Sequence, residues 1–220
     1  AYTANDAVPE ERFDEAMRPR PVAISLDGDP TLCPYLPELI EEFHDRGITT
    51  FLVSNGTNPD VIADCEPTQT YISVDAPDPN TFDRVVRAVE DDAWDSLMET
   101  LDVLSDKNGR TVVRTTLIEG WNDDDPEGFA RLYERASPDF IETKAYMHVG
   151  HSRDRLGRDA MPEHEDVQDF TDAVQEDLDG YGTRKEVPRS LVTLLAQDED
   201  TWVEKLKKES EFWSEKPYAT

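Results

Sequence analysis

Val22-Ala23-Ile24-Ser25-Leu26-Asp27-Gly28-Asp29-Pro30-Thr31 is the stretch that decides how this chain folds. The first half is an apolar run that reads as a buried strand. Asp27-Gly28-Asp29-Pro30 stops that run in a tight acidic turn. Beyond it Leu36, Leu39, Ile40 and Phe43 recur at helical spacing, and Gly47 stands where a helix ends. A buried strand that delivers a glycine turn to a helix is how α/β proteins build ligand sites at the carboxyl ends of their strands. A plain strand–turn–helix connection shows the same pattern, so the residues downstream must decide between the two.

Working outward, the unit recurs. Residues 48–53 form a β-branched strand closed by Ser54-Asn55-Gly56-Thr57, and a short helix is expected over 60–63. Residues 70–75 give a third strand with an acidic end at Asp75. A long helical region follows, in which Trp94, Leu97, Met98, Leu101 and Leu104 share one face that reads as core. Residues 111–118 form the fourth strand, Pro126 opens a helix with Phe129, Leu132 and Tyr133 inward, and 140–147 form the fifth. Residues 149–158 read as a loop, Val167, Phe170 and Val174 as a helix, and 191–195 as a short last strand. A short helix over 9–17, with Phe13 and Met17 one turn apart, precedes all this. Strand and helix alternate, so the expected class is α/β with a mainly parallel sheet and right-handed crossovers. Residues 1–195 make one domain, and 196–220, with Trp202 and Leu206, a polar helical extension.

Asp plus Glu number 50 against 22 Lys plus Arg, a net charge of −28. Regular apolar periodicity argues against disorder. The charge, with seven Lys against fifteen Arg, suits a folded protein of a salt-adapted, halophilic cytoplasm. Because it reports on habitat, it does not exclude a nucleic-acid partner. Cys33 and Cys65 are too far apart for a disulfide framework or a zinc or iron–sulfur spacing. With no signal-peptide pattern and no apolar run of spanning length, the expected location is cytoplasmic, away from membranes.

If the sheet is parallel, its carboxyl edge gathers Gly28, Asp29, Ser54, Asn55, Asp75, Thr115 or Thr116, and residues 144–148. Arg114 and Lys144 interrupt apolar strands, which is costly unless each charge is paired or meets a ligand. For Lys144 the choices are a salt bridge with Asp75 or Glu142, a ligand anion, or an imine. Residues 143–158 carry Lys144, Arg153, Arg155 and Arg158 against Asp154, an island of +3 (four cations minus one acid). These arginines either balance neighbouring carboxylates or bind an anion such as the RNA backbone, and the second reading is favoured. His148 and His151 have an H-x-x-H spacing, but polar or RNA contacts fit them better than a metal.

Four segments together carry a family resemblance: SLDGDPTLCPYLPELIEEFHDRGITTFLVSNGT (25–57), PTQTYISVDAPD (67–78), RTTLIEGWNDDD (114–125) and PDFIETKAYMHVGHSRDRL (138–156). They resemble the radical S-adenosylmethionine enzymes of wybutosine biosynthesis, the 4-demethylwyosine synthases. The resemblance implies a partial (β/α)6-type barrel that condenses pyruvate-derived carbons with N1-methylguanosine beside the anticodon of phenylalanine tRNA. S-adenosylmethionine and a 4Fe–4S cluster would be the cofactors, and an electron donor a further partner. Gly28, Asp29 and Pro30 match the family's Gly-Glu-Pro segment, which receives the amino group of S-adenosylmethionine. Ser54, Asn55, Ser73, Asp75 and Arg114 stand where related enzymes hold its ribose and carboxylate. Lys144 becomes the candidate for pyruvate, and Arg153, Arg155, Arg158 and His148 would face the anticodon stem-loop.

Two departures follow from the same comparison. Asp29 replaces a Glu, keeping the charge but shortening the reach by one methylene. The family's C-x-x-x-C-x-x-C is absent, so no metal ligand is assigned here, and the first strand and cluster loop are expected upstream. On that reading this polypeptide alone is inactive. The alternatives are a non-catalytic module that binds tRNA or S-adenosylmethionine, or a different radical enzyme.

Overall fold

The structure, a computed structural model, describes residues 16–17, 20–25 and 28–197. Most of the helix expected over 9–17, and the terminal helix with Trp202 and Leu206, lie outside the described residues.

Five strands run parallel and lie side by side in chain order: β1 (Pro21–Ile24), β2 (Thr49–Ser54), β3 (Gln69–Ser73), β4 (Arg110–Leu117) and β5 (Phe140–Ala145). Helices fill the crossovers: α1 (Leu36–Asp45), α2 (Pro59–Asp64), α3 (Pro79–Val85), α4 (Ala93–Ser105) and α5 (Pro126–Ala136). The composition of each helix start explains where it begins. Proline occupies the first turn of α1, α2, α3 and α5, where its missing N–H costs nothing. Asp78 accepts from the Asn80 and Thr81 amides at the start of α3, and Asp125 from Gly128 at the start of α5.

Strand order equal to chain order, with right-handed crossovers, puts the helices on one face of the sheet. Leu97, Leu101 and Leu104 of α4, Phe129 and Tyr133 of α5, and Val167, Phe170 and Val174 of α6 (His164–Glu176) pack there. They meet Ile72, Val113, Ile141 and Leu195 of the sheet. Leu36 and Ile40 of α1 cover Leu52 and Cys65. The alternate residues point the other way. Tyr71, Val112, Phe140 and Leu194 form a small cluster on that second face, which continues toward the strand ends as polar residues. An α/β half-barrel with a polar inner face is therefore what the described residues build, as the alternation of strand and helix predicts.

Four details differ from the sequence reading. β1, read as a buried strand, is an edge strand of the sheet, and its residues are exposed or half-buried. The long helical region is two helices separated by 86–92, with Arg87 at φ +56. The last strand, β7 (Val192–Ala196), runs antiparallel to β5 and ends one residue past the expected domain boundary. It is paired with an unexpected edge strand, β6 (Thr183–Val187), whose Arg184-Lys185-Glu186 core gives no apolar alternation to read. Finally, 149–158, read as a loop, holds a 3-10 turn, Gly150–Asp154, and a second, Arg158–Ala160, begins at its end.

Gly56 joins the sheet edge to the helical layer. It adopts φ +79, its carbonyl accepts from Thr100 Oγ1 at 2.7 Å, and a Cβ would sit 2.7 Å from Leu97 Cδ1. Gly56→Ala is expected to cost about 2–4 kcal/mol, from a left-handed backbone plus a clash in a packed layer. Gly28→Ala, at φ +83 with nothing within 4 Å of the added Cβ, should lose only the backbone part, about 1–2 kcal/mol. Urea unfolding of both variants checks that order, and equal losses would contradict it.

Candidate active site at the strand ends

The turn after β1 is locked to the end of β2 by one carboxylate. Asp29 caps the 3-10 turn Pro30–Leu32, its Oδ1 accepting from the Thr31 amide at 2.9 Å and Thr31 Oγ1 at 2.5 Å. Ser54 Oγ donates to Oδ2 at 3.0 Å, and the Asn55 amide donates to the same oxygen at 2.8 Å. A carboxylate offers about four acceptor positions, so Asp29 is fully engaged by its own chain. Thr31 Oγ1 also accepts from Asn58 Nδ2 at 2.7 Å, and Ser54 Oγ accepts from the Gly56 amide at 3.1 Å. Gly28, Asp29, Pro30, Ser54 and Asn55 are thus brought together as the sequence suggests.

The inner face of the sheet carries the charges. Register places Ser73 beside Arg114, Arg114 beside Glu142, and Thr116 beside Lys144. Arg114 Nη2 donates to Ser73 Oγ at 3.3 Å, while its buried Nε has no hydrogen-bond partner. Burial pushes the Glu142 carboxyl above its ordinary 4.5, and the Arg114 and Lys144 charges offset this only in part. Asp75, half-buried, is pushed above its ordinary 3.8 by burial too, against the Thr116 amide, which donates to Oδ1 at 2.7 Å, and the Arg114 and Lys144 charges. Lys144 closes no ion pair within 4 Å with either carboxylate among the described residues. Its ammonium faces the field of both, with its hydrogen-bonding capacity unspent. That arrangement suits a small anionic or carbonyl ligand rather than a purely structural bridge.

A cleft of about 450 Å³ opens at this edge, lined by Asp75 and Thr116, by Ile118, Trp121 and Tyr146, and by Arg84, Arg87, His151 and Arg155. Of the expected basic residues, Arg155 reaches this lining. Arg153 and Arg158 are exposed and are not part of it, and His148 is half-buried with Nδ1 3.4 Å from the Tyr146 hydroxyl. Arg84, Arg87 and Trp121 were not singled out from sequence. Arg84-Val85-Val86-Arg87 is a pair of cations inside an acidic stretch, the same signal that marked 143–158, but it was hidden in the supposed long helix.

The two cysteines do not suit an iron–sulfur cluster. Cys33 is exposed beside the first turn, while Cys65 is buried against α1, where burial pushes its thiol up to about 11. No group of three metal-binding side chains exists among the described residues.

Residues 3–133 match the family model described as the radical SAM superfamily. The chain belongs to that superfamily. Residues 135–197 match a second model, described as wyosine base formation. An S-adenosyl-L-methionine-dependent tRNA 4-demethylwyosine synthase of Pyrococcus abyssi is 43% identical over 203 residues, covering 90% of this chain and 59% of that protein. The synthase of Methanocaldococcus jannaschii is 52% identical over 162 residues, covering 74% of this chain and 51% of its own. This chain therefore spans about half to three-fifths of these archaeal relatives. Among solved structures, TYW1 with a lysine–pyruvate adduct bound superposes with a TM-score of 0.80 at 45% identity, covering 87% of this chain and 61% of that one. A domain of pyruvate-formate lyase-activating enzyme from Bacteroides vulgatus, at 16% identity and a TM-score of 0.54, shares the fold alone.

Within this radical SAM half-barrel the raised Glu142 carboxyl has a measurable sign. Its folded pKa lies above the unfolded one, so ionisation works against folding. The penalty is absent below about pH 4 and grows as pH rises through the folded value. Glu142→Gln is expected to raise the thermal midpoint at neutral pH and to leave it unchanged in acid. A lower midpoint at neutral pH would show that the ionised carboxylate is net stabilising.

Proposed function

We propose that the protein carrying this chain makes 4-demethylwyosine in tRNA, joining carbons of pyruvate to N1-methylguanosine beside the anticodon of phenylalanine tRNA. The observation that carries this reading is the 45% identity, over 87% of the chain, with a TYW1 structure holding a lysine–pyruvate adduct. The strand-end chemistry supports it. The Gly28-Asp29-Pro30 turn concentrates negative charge where the ammonium of S-adenosylmethionine would sit. Because Asp29 already serves Thr31, Ser54 and Asn55, it attracts that ammonium through its charge while the turn's main chain makes the contact. Ser54, Asn55, Ser73 and Asp75 offer acceptors and donors for ribose hydroxyls, and Arg114, with Nε unspent, answers the cofactor's carboxylate.

A 4Fe–4S cluster would supply the electron that cleaves S-adenosylmethionine, fed by an electron donor in the cytoplasm. Cys33 and Cys65 do not fit such a cluster, so its ligands belong to the part of the protein that this chain does not span. Alone, the chain would bind S-adenosylmethionine and tRNA without radical chemistry. Lys144 binds the keto acid, and Arg153, Arg155, Arg158 and His148 face the RNA.

The test is anaerobic reconstitution of the full-length gene product with S-adenosylmethionine, pyruvate, N1-methylguanosine-bearing tRNA and a strong one-electron reductant such as dithionite, followed by nucleoside mass spectrometry. The expected product is 4-demethylwyosine, and N1-methylguanosine left unconverted by a cluster-loaded protein would overturn the reading. For Lys144, borohydride trapping with labelled pyruvate separates two chemistries. Loss of trapped label in Lys144→Met identifies an imine, and retained label with a raised KM for pyruvate identifies a carboxylate partner. No change in either would remove Lys144 from the site.

A further inference from the structure

Part of the cleft lining is left unused by the assignments above. Arg84, in the last turn of α3, lies 5.7 Å over the Trp121 ring, and its Nη2 donates to the Trp121 carbonyl. The guanidinium is thereby held over the indole while the side chain remains exposed. Arg87 follows three residues later at φ +56, exposed in the segment that breaks the helical region. A left-handed arginine with no glycine in its place is strained backbone, which persists where the surroundings or a function require it.

Of the residues lining the cleft, Arg84, Arg87, His151 and Arg155 are basic and Asp75 alone is acidic. The whole chain carries −28, so most of its surface repels a polyanion, and a local reversal of sign focuses one here. Three arginines beside an aromatic wall match single-stranded RNA, whose unstacked bases lie against guanidinium planes while arginines take the phosphates.

We propose that Arg84, Arg87 and Trp121 form an RNA-contact edge of the cleft. Arg87 and Arg155 take phosphates of a loop nucleotide, and the Arg84–Trp121 stack presents a flat face to a base. This rests on the reading that the protein acts on tRNA. It adds a contact surface made by the β3–β4 connection, which carries Arg84 and Arg87, and the start of the β4–β5 connection, which carries Trp121, both separate in sequence from the 148–158 loop.

The test uses the full-length protein and a phenylalanine tRNA transcript, with anisotropy read across a salt series. Arg87→Gly removes the guanidinium and relieves the left-handed strain. It is expected to bind tRNA about tenfold more weakly, the loss of one charge-assisted contact. The log–log salt slope should become shallower by about 0.7–0.9. Its unfolding midpoint should equal or exceed the parent's, and S-adenosylmethionine binding should not change. Arg87→Lys should recover part of the affinity. Unchanged affinity and slope in Arg87→Gly would overturn the proposal while leaving the tRNA reading intact. A parent protein that fails to bind tRNA would overturn that reading, and this one with it.

Discussion

The Asp29 carboxylate accepts from the Thr31 amide and hydroxyl, from Ser54 Oγ and from the Asn55 amide, and so joins the turn after β1 to the end of β2. Hydrogen bonds to an ionised carboxylate are roughly twice as strong as neutral ones. The chain of contacts does not stop there. Ser54 Oγ, oriented by Asp29, accepts from the Gly56 amide, and the Gly56 carbonyl accepts from Thr100 in the middle of α4. One exposed turn is thereby tied to the buried helical layer that Leu97 and Leu101 anchor. Two strand ends and a helix are thereby joined, which is what a site built from separate strands requires.

The inner face states the other side of the same design. Helices cover one face of the sheet because the strands follow chain order, and the second face is free to be polar. Burying Arg114, Glu142, Lys144 and Asp75 together is unfavourable for a bare fold, as the raised carboxyls of Glu142 and Asp75 show. Such charges persist where a ligand uses them. The helix-covered face carries no such burden, since Leu97, Phe129, Ile141 and their neighbours supply its stability.

Legibility in the sequence followed physical signal strength. β2, β4, α4 and α5 were readable because their apolar residues recur at one period over several turns or pairs. Asp29, Ser54, Asp75, Arg114 and Lys144 were readable because polar groups interrupt or end apolar strands. β6 was not, since an edge strand made of Arg184, Lys185 and Glu186 lacks the alternation that burial imposes. The break at 86–92 was missed because Arg87, not glycine or proline, takes the left-handed position. With that break unseen, Arg84 and Arg87 fall within the long helical region without distinction, and their place beside Trp121 and Arg155 is a tertiary fact. The antiparallel return of β7 had no local signal either, because a strand's direction is set by its partners.

The central claim is that the Asp29-locked strand ends hold S-adenosylmethionine. Its most direct test is equilibrium binding of S-adenosylmethionine to the full-length protein and to Asp29→Ala, both measured well below their unfolding transitions. The account predicts about tenfold or greater weakening, as the turn loses both its charge and its hold on Ser54 and Asn55. A folded Asp29→Ala protein that binds S-adenosylmethionine as tightly as the parent would contradict it.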